Sequence, residues 1–361
     1  MTRFRQALVL IGLFTLLSLA ACGAPAVPDS GQASSTVVVA ATEAALAAPE
    51  PAAPPTATPQ ATLEPSPAPA AEVTQAPATT SASFPLVVTD GLNREVNIAA
   101  APERIVSLAP SNTEILFAVG ADEAVVGVTK YCNYPAEAQS REQIGGFSAK
   151  TISVEKIVAL KPDVVVAGDE SHQPVIDALV DLNIPVIALK AASFEDVYRN
   201  VELVGQITGH DEQAREVVAG MRQRVDAIVA KVAGIPQAER PSVFWEVFDE
   251  PLMTAGPSTF IGQMIDLAGG VNVFADVAEE YPEISAEEVV RRNPAVIMGP
   301  DSHADKLTPE LIAQRPGWQG IAAAQAGRIV LIDGDIASRP GPRLPEALEA
   351  IAAGLHPEAF K

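Results

Sequence analysis

Two stretches of the sequence repeat one unit, in which a glutamate stands two positions after a serine. The stretches are ISVEKIVALKPDVVVAG, residues 152–168, and ISAEEVVRRNPAVIMGP, residues 284–300. Serine is a favoured helix N-cap, so each unit predicts a helix that starts at its serine and carries the glutamate in its first turn. The predicted caps are Ser153 and Ser285, and the paired carboxylates are Glu155 and Glu287.

The chemistry open to these carboxylates is electrostatic. An acid in the first helical turn interacts favourably with the helix dipole, by about 0.3–1 kcal/mol at an exposed position. In the second unit, Glu288 is also predicted to complete a capping box with Ser285. Helix stabilisation explains why an acidic residue stands somewhere in the first turn. It does not explain why both units have a glutamate at the same position, two residues after the serine.

Tyrosines form a second group of candidate residues. Three of the four tyrosines in the chain, Tyr131, Tyr134 and Tyr281, follow predicted strands. Ligands of open α/β sheets bind beyond the carboxyl ends of the strands, so these side chains are candidates for a binding cleft. Aromatic rings bury apolar area at little cost in rotamer entropy, which suits a large, flat ligand.

Two histidines and two arginines also follow strands. His172 and His303 end the DESH and DSH segments after equivalent strands. They are interpreted as axial metal ligands, as hydrogen-bonding groups at the rim of a ligand, or as solvated loop residues. Arg339 and Arg343 follow the last strand, and their guanidinium groups suit amides, phosphates and carboxylates. The alternative for Arg343 is a surface residue at the start of the last helix.

Short β-branched runs must position these residues. The runs alternate with amphipathic stretches from residue 84 onward, which predicts an α/β fold of βαβ units with parallel sheets. Trp245, in the middle of one run, is predicted to be core. The predicted strands are RIVSLA (104–109), AVVGV (124–128), DVVVAG (163–168), PVIAL (185–189), VFWEV (243–247), AVIMG (295–299) and RIVLID (328–333).

One long helix is predicted over 211–233, where apolar residues keep helical spacing for about six turns. Gly234 and Pro236 end it. The halves on either side echo each other, since a Pro-Ser and a Tyr-Pro pair each recur at an offset of 147 residues. We therefore predict an N-terminal lobe at 84–209, an inter-lobe helix at 210–236 and a C-terminal lobe at 237–361.

The N-terminal segment has the features of a targeting sequence. Residues 1–22 combine a basic start, an apolar stretch too short to span a bilayer comfortably and the ending LSLAAC, which resembles a lipobox. This predicts lipidation of Cys22, with a plain secretory signal as the alternative. Residues 23–83 lack Lys, Arg and aromatic residues and hold eleven of the 31 prolines, which predicts a disordered tether.

Charge and cysteine content exclude some classes of protein. A formal charge of −21 argues against nucleic-acid binding, because a basic surface supplies most of that affinity. Cys132 is the only cysteine besides Cys22, so no internal disulfide is expected in the exported body.

Over about residues 100–355 the sequence resembles the substrate-binding proteins of ABC importers that have a rigid inter-lobe helix, and among them the cobalamin (vitamin B12) binders. The most specific stretches are RIVSLAPSNTEILFAVG (104–120), VTKYCNYP (128–135), SVEKIVALKPDVVVA (153–167) and SAEEVVRRNPAVI (285–297). The resemblance implies two α/β lobes of the class III periplasmic-binding type, which hold a ligand between them and deliver it to a permease dimer with its ATPase. It implies a monomer without catalytic activity, held outside the cytoplasm by its lipid.

The resemblance also implies site residues. Positions that correspond to the family's ligand contacts or to their aromatic neighbours are Tyr131, Phe147, Phe248, Tyr281 and Arg339. Core packing is the alternative for Phe147 and Phe248. In the family, matching glutamates dock into permease arginines, which implies docking by Glu155 and Glu287. Haem and ferric-siderophore binders share the architecture, so haem or a siderophore is the alternative to cobalamin or a related corrinoid, and a histidine and tyrosine on iron would favour haem.

Other classes of protein fit the sequence less well. No Walker loop, G-x-S-x-G elbow or G-x-G-x-x-G fingerprint indicates an enzyme. A receptor for free zinc or manganese needs three or four converging ligands, and four scattered histidines do not supply them. A structural or adhesion lipoprotein would leave the aromatic cleft residues unexplained.

Overall fold

A computed structural model describes residues 83–301 and 307–361. The predicted targeting segment at 1–22, Cys22, nearly all of the 23–83 tether and His303 lie outside the described residues. All described residues belong to one compact unit. Within these ranges, no helix is both long enough and apolar enough to cross a bilayer.

The N-terminal half forms a five-stranded parallel sheet in the order β5-β4-β3-β6-β7. Its strands are β3 (Ile105–Ser107), β4 (Val125–Val128), β5 (Glu142–Gln143), β6 (Val164–Ala167) and β7 (Val186–Ala188), and an antiparallel hairpin of β1 (Leu86–Thr89) and β2 (Glu95–Ile98) precedes them. The helices of this half are α1 (Pro110–Ala118), α2 (Val154–Ala159), α3 (Gln173–Asp181) and α4 (Phe194–Thr208).

The C-terminal half repeats this design with a second sheet in the order β10-β8-β11-β12. Its strands are β8 (Ser242–Asp249), β9 (Leu252–Thr254), β10 (Val271–Asn272), β11 (Val296–Pro300) and β12 (Ile329–Ile332), with β9 antiparallel to β8 and the other pairs parallel. The helices are α6 (Phe260–Leu267), α7 (Ala286–Arg292), α8 (Pro309–Ala313), α9 (Ala322–Gln325), α10 (Gly334–Ala337) and α11 (Leu344–Leu355).

The fold class agrees with the sequence. Each of the seven predicted strands is present, and β6 and β11 are buried along their whole length, as expected for parallel strands covered on both faces. Trp245 is core, as predicted, and so is the free Cys132. The α/β prediction is confirmed.

A single long helix, α5 (Asp211–Val232), lies between the two halves in the chain, where a helix was predicted over 211–233. Its 22 residues span about 33 Å at 1.5 Å per residue. The helix packs against α4 of the first half and α11 of the second. Its buried stripe is Ala214, Val218, Met221, Val225, Ile228 and Val232.

Five of these six residues, all except Val232, belong to an apolar cluster that contains residues from both sheets, including Ile105 of β3 and Val243 of β8. Two smaller clusters fill out one half each. The two lobes are therefore joined through a common packed interior around α5, and interiors of this kind resist gradual deformation.

Candidate functional site

The aromatic residues that the sequence places after strands are solvent-exposed. Their exposed fractions range from 38% for Tyr281 to 59% for Phe147. The alternative that Phe147 and Phe248 belong to the core is therefore wrong. Exposed aromatic side chains that form a contiguous patch, unlike isolated ones, mark surfaces that bind a ligand or a partner. The set comprises Tyr131, Tyr134, Phe147, Phe248 and Tyr281.

Two of these rings are in contact and line a cavity on the N-terminal lobe. The Tyr131 and Phe147 centroids are 5.5 Å apart with an interplanar angle of 72°, an edge-to-face arrangement. The ammonium of Lys130 lies 4.9 Å from the centroid of the Tyr131 ring. The cavity beside them has a volume of about 340 Å³, and its lining is Lys130, Tyr131, Gly145, Gly146, Phe147, Ser148 and Thr151.

Tyr281 lies on the C-terminal lobe, within electrostatic reach of the N-terminal lobe. Although 38% of Tyr281 stays exposed, partial burial raises the pKa of its phenol to about 12, and the carboxylates of Glu280 and Asp169 add to the shift. Asp169 follows β6 in the opposite lobe, so the two lobes are within electrostatic reach of each other at this point. Lys190, which follows β7, bonds to Glu170 at 2.6 Å. The pKa of Lys190 is raised chiefly by that bond and further by the charge of Glu280.

The raised pKa predicts how Tyr281 responds to alkali. The folded state holds the phenolic proton more tightly than the unfolded state, so this contribution to stability is complete below about pH 10 and is lost as the pH rises toward 12. In a spectrophotometric titration, the tyrosinate absorbance of Tyr281→Phe should equal that of the wild type up to about pH 11, because the phenol of Tyr281 is still largely protonated there. If the variant instead lacks one tyrosine's share of the tyrosinate absorbance near pH 10, the assignment is wrong.

A buried cluster of one carboxylate and two guanidinium groups joins the lobes next to Tyr131 and Tyr134. Glu114, on α1, has a side chain only 2% exposed. Its Oε1 accepts from Arg339 Nη1 at 2.9 Å and from Arg343 Nη2 at 2.8 Å, and its Oε2 accepts from Arg343 Nε at 3.0 Å. Both arginines belong to the C-terminal lobe. We call Glu114, Arg339 and Arg343 the inter-lobe clamp.

The clamp also holds the segment that carries two cleft tyrosines. Arg339 donates to the Asn133 side chain at 2.8 Å and to the Tyr131 carbonyl at 3.2 Å. The Arg343 guanidinium lies 4.0 Å from the centroid of the Tyr134 ring. Asn133 donates in turn to Asp335 at 2.6 Å.

These contacts test the predictions that Arg343 is a surface residue and that Arg339 contacts the ligand. The surface alternative for Arg343 is wrong, since it precedes α11 but is paired with Glu114. Contact of Arg339 with a ligand stays a prediction, and its guanidinium already has protein partners.

His172 is buried, not a solvated loop residue. The Gly168 N–H donates to its Nδ1 at 2.9 Å, and its Nε2 lies 2.6 Å from the Phe147 carbonyl oxygen. Axial ligation of a metal by His172 would require one of these bonds to break. Among residues 83–301 and 307–361, no three His, Cys, Asp or Glu side chains are grouped as a metal site.

The two repeated units form the predicted helix starts. Ser153 Oγ accepts from the Lys156 N–H and Ser285 Oγ from the Glu288 N–H, each at 3.2 Å, at the starts of α2 and α7. Glu155 and Glu287 are both exposed, and within the described chain neither is paired with a cation. Hydrogen bonds from its own N–H and from Ser285 lower the pKa of Glu287.

The predicted capping box is wrong for a local reason. The Glu288 carboxylate bonds to Arg291 at 2.5 and 2.8 Å and to Arg292 at 2.6 Å, so it does not return to the Ser285 backbone. These two guanidinium groups lower the pKa of Glu288 to about 2. Glu288 is neutralised locally, in contrast to Glu155 and Glu287.

Sequence reasoning missed Glu114, Asn133, Lys190 and Asp335. Glu114 did leave a signal, because it is the only charged residue in the helix PSNTEILFA. A single charge in an otherwise apolar and polar-neutral helix implies a buried partner. The other three lie in polar loops, where nothing in the sequence distinguishes them.

The described chain thus consists of two α/β lobes with parallel sheets, joined by one long helix, and each lobe carries exposed aromatic side chains. The family model described as periplasmic binding protein matches residues 105–336. The chain belongs to this family, whose members are solute-binding proteins.

Named relatives narrow the class further. An ABC transporter substrate-binding lipoprotein of Bacillus subtilis is 35% identical over 283 residues, covering 77% of this chain and 88% of the relative. A cobalamin-binding protein of Halobacterium salinarum is 32% identical over 295 residues, covering 80% and 79%. The solved haem-binding protein of Roseiflexus matches with a TM-score of 0.64 and 26% identity, covering 71% and 99%. The chain is thus the substrate-binding component of an ABC transporter.

Proposed function

We propose that this protein captures cobalamin or a related corrinoid between its lobes and delivers it to an ABC permease, while a lipid on Cys22 holds it at the outer face of the membrane. The observation that carries the proposal is the exposed aromatic surface of the cleft, with Tyr131 and Phe147 on one lobe and Tyr281 on the other. A flat macrocycle buries its faces against such rings. The cobalamin-binding relative supports the choice of ligand.

Haem is the second candidate, since a solved relative binds it. A tyrosine that ligates haem iron must lose its phenolic proton. Partial burial raises the pKa of Tyr281, so ligation of haem iron through Tyr281 would have to overcome that shift.

The decisive experiment is an absorption spectrum of the purified protein, followed by parallel titrations with cyanocobalamin, haemin and a ferric siderophore. The proposal expects saturable binding of the corrinoid, at lower concentrations than either iron ligand. A Soret band on the isolated protein, or tighter binding of haemin, would transfer the assignment to haem.

Tyr131→Ala should weaken corrinoid binding by about 10- to 100-fold, because the loss of one buried aromatic face costs about 1.5–3 kcal/mol. Isothermal titration calorimetry measures this change directly. The control is Val180→Ala, which removes an exposed apolar side chain from α3 and should bind as the wild type does. Equal affinities for Tyr131→Ala and the wild type would remove Tyr131 from the site.

A further inference from the structure

The ring of Phe147 stands on a short loop that crosses the cleft face of the N-terminal lobe. The loop, residues 145–151, turns back on itself through a bond from the Gly146 N–H to the Thr151 carbonyl at 3.0 Å and through the hydroxyls of Ser148 and Thr151 at 2.9 Å. A Cβ on Gly145, whose φ is +128°, would lie 2.2 Å from the Thr151 carbonyl oxygen, so the turn accepts only glycine there. None of these bonds joins the tip of the loop to the sheet.

His172 supplies that connection. Its side chain lies between the end of β6 and the loop, with Nδ1 at 2.9 Å from the Gly168 nitrogen and Nε2 at 2.6 Å from the Phe147 oxygen. Gly168 can only donate and the Phe147 carbonyl can only accept, so Nδ1 carries no proton and Nε2–H is the donor. The imidazole is therefore neutral and in a single tautomer.

The surroundings of the ring make this connection rigid. His172 is only 4% exposed, and a Cβ on Gly168 would approach its ring to 3.2 Å, so the imidazole is closely packed. The strand that leads into Gly168 is buried at every residue. The two hydrogen bonds of this buried ring thus fix the backbone of an exposed aromatic residue to the end of a fully buried strand.

We infer that His172 is a positioning residue for ligand binding, which holds Phe147 edge-to-face against Tyr131 before the ligand arrives. The inference rests on the proposed function in so far as Phe147 contacts the ligand. A preordered wall saves the cost of ordering the loop on binding. Loss of the two bonds should weaken binding by about three- to tenfold, because the loop would then have to be ordered when the ligand binds.

Two substitutions separate the hydrogen bonds from the packing. His172→Phe keeps a planar ring but leaves both backbone groups without partners. His172→Gln carries one acceptor and one donor on its amide and can restore both bonds. In the full chain without ligand, His172→Phe should increase amide hydrogen exchange of residues 145–151, and His172→Gln should return it toward the wild-type rate.

Affinity measurements with cyanocobalamin then test whether the effect passes through Phe147. His172→Phe should lower affinity in the wild-type background and change little when Phe147→Ala is already present, because the ring to be positioned is gone. An equal loss in both backgrounds would show that His172 acts by another route and would overturn the inference. Unchanged exchange in His172→Phe would overturn it as well. A chain that binds none of the macrocycles would contradict the proposed function, while the exchange experiment without ligand still decides the role of His172.

Discussion

Cells that carry Glu155→Ala together with Glu287→Ala should lose uptake of the ligand, although the purified double variant should bind it with wild-type affinity. Both carboxylates are exposed in the first turns of α2 and α7, one in each lobe, and within the described chain neither is neutralised by a cation. We expect them to pair with basic residues on the two halves of the permease, since removal of one member of a desolvated charge pair costs about 2–5 kcal/mol. Labelled-ligand uptake in a strain that lacks the native copy measures the effect.

Glu310 provides a matched control for this experiment. It stands two positions after Thr308, the N-cap of α8, and it is exposed like the paired glutamates. Its pKa is lowered by its own N–H and by the cap hydroxyl, as that of Glu287 is. Glu310→Ala therefore reproduces the loss of helix-dipole stabilisation, about 0.3–1 kcal/mol, outside the repeated units. Normal uptake by the double variant, or an equal loss with Glu310→Ala, would leave only the helix-stabilising role.

Glu114→Gln should lower the free energy of unfolding by about 3–5 kcal/mol, because it leaves the largely buried guanidinium of Arg343 without its carboxylate and leaves Arg339 with Asp335 alone. At about 2–4 °C per kcal/mol for a body of this size, the melting temperature should fall by roughly 10 °C. Thermal unfolding followed by circular dichroism measures it. The same variant should bind ligand more weakly, since the clamp also holds the segment that carries Tyr131 and Tyr134.

The control for the clamp is an exposed ion pair between α5 and α11. Glu349 of α11 lies 3.8 Å from Arg224, and both side chains are about half exposed. Exposed pairs of this kind contribute about 0–1 kcal/mol, so Glu349→Gln should melt close to the wild type. If Glu114→Gln has the same melting temperature as Glu349→Gln, the clamp does not hold the lobes together.

Features that repeat along the chain could be predicted from the sequence. The strands and α5 follow from apolar periodicity, and the caps at Ser153 and Ser285 follow from a single residue type before a helical pattern. The partners of the Glu288 carboxylate were harder to predict, because it could accept either from the Ser285 backbone or from the arginines that follow. It bonds to the arginines, since hydrogen bonds between charged groups are the stronger ones.

Contacts between distant segments could not be predicted at all. Glu114 and Arg339 are 225 residues apart in the chain. The bonds of His172 go to backbone groups of Gly168 and Phe147, which have the same chemistry in almost every residue. The amino-acid composition of a loop therefore does not predict such hydrogen bonds. They become visible only when the folded structure is known.

The shared apolar interior around α5 has a mechanical consequence. Swinging one lobe away from the other would expose residues of both sheets to water, and each Å² of apolar surface so exposed costs about 25 cal/mol. Large separations of the two lobes should therefore be rare at thermal equilibrium. Under the proposed function, the lobes should keep nearly the same arrangement with and without ligand, and release should depend on the permease and not on a spontaneous opening of the lobes.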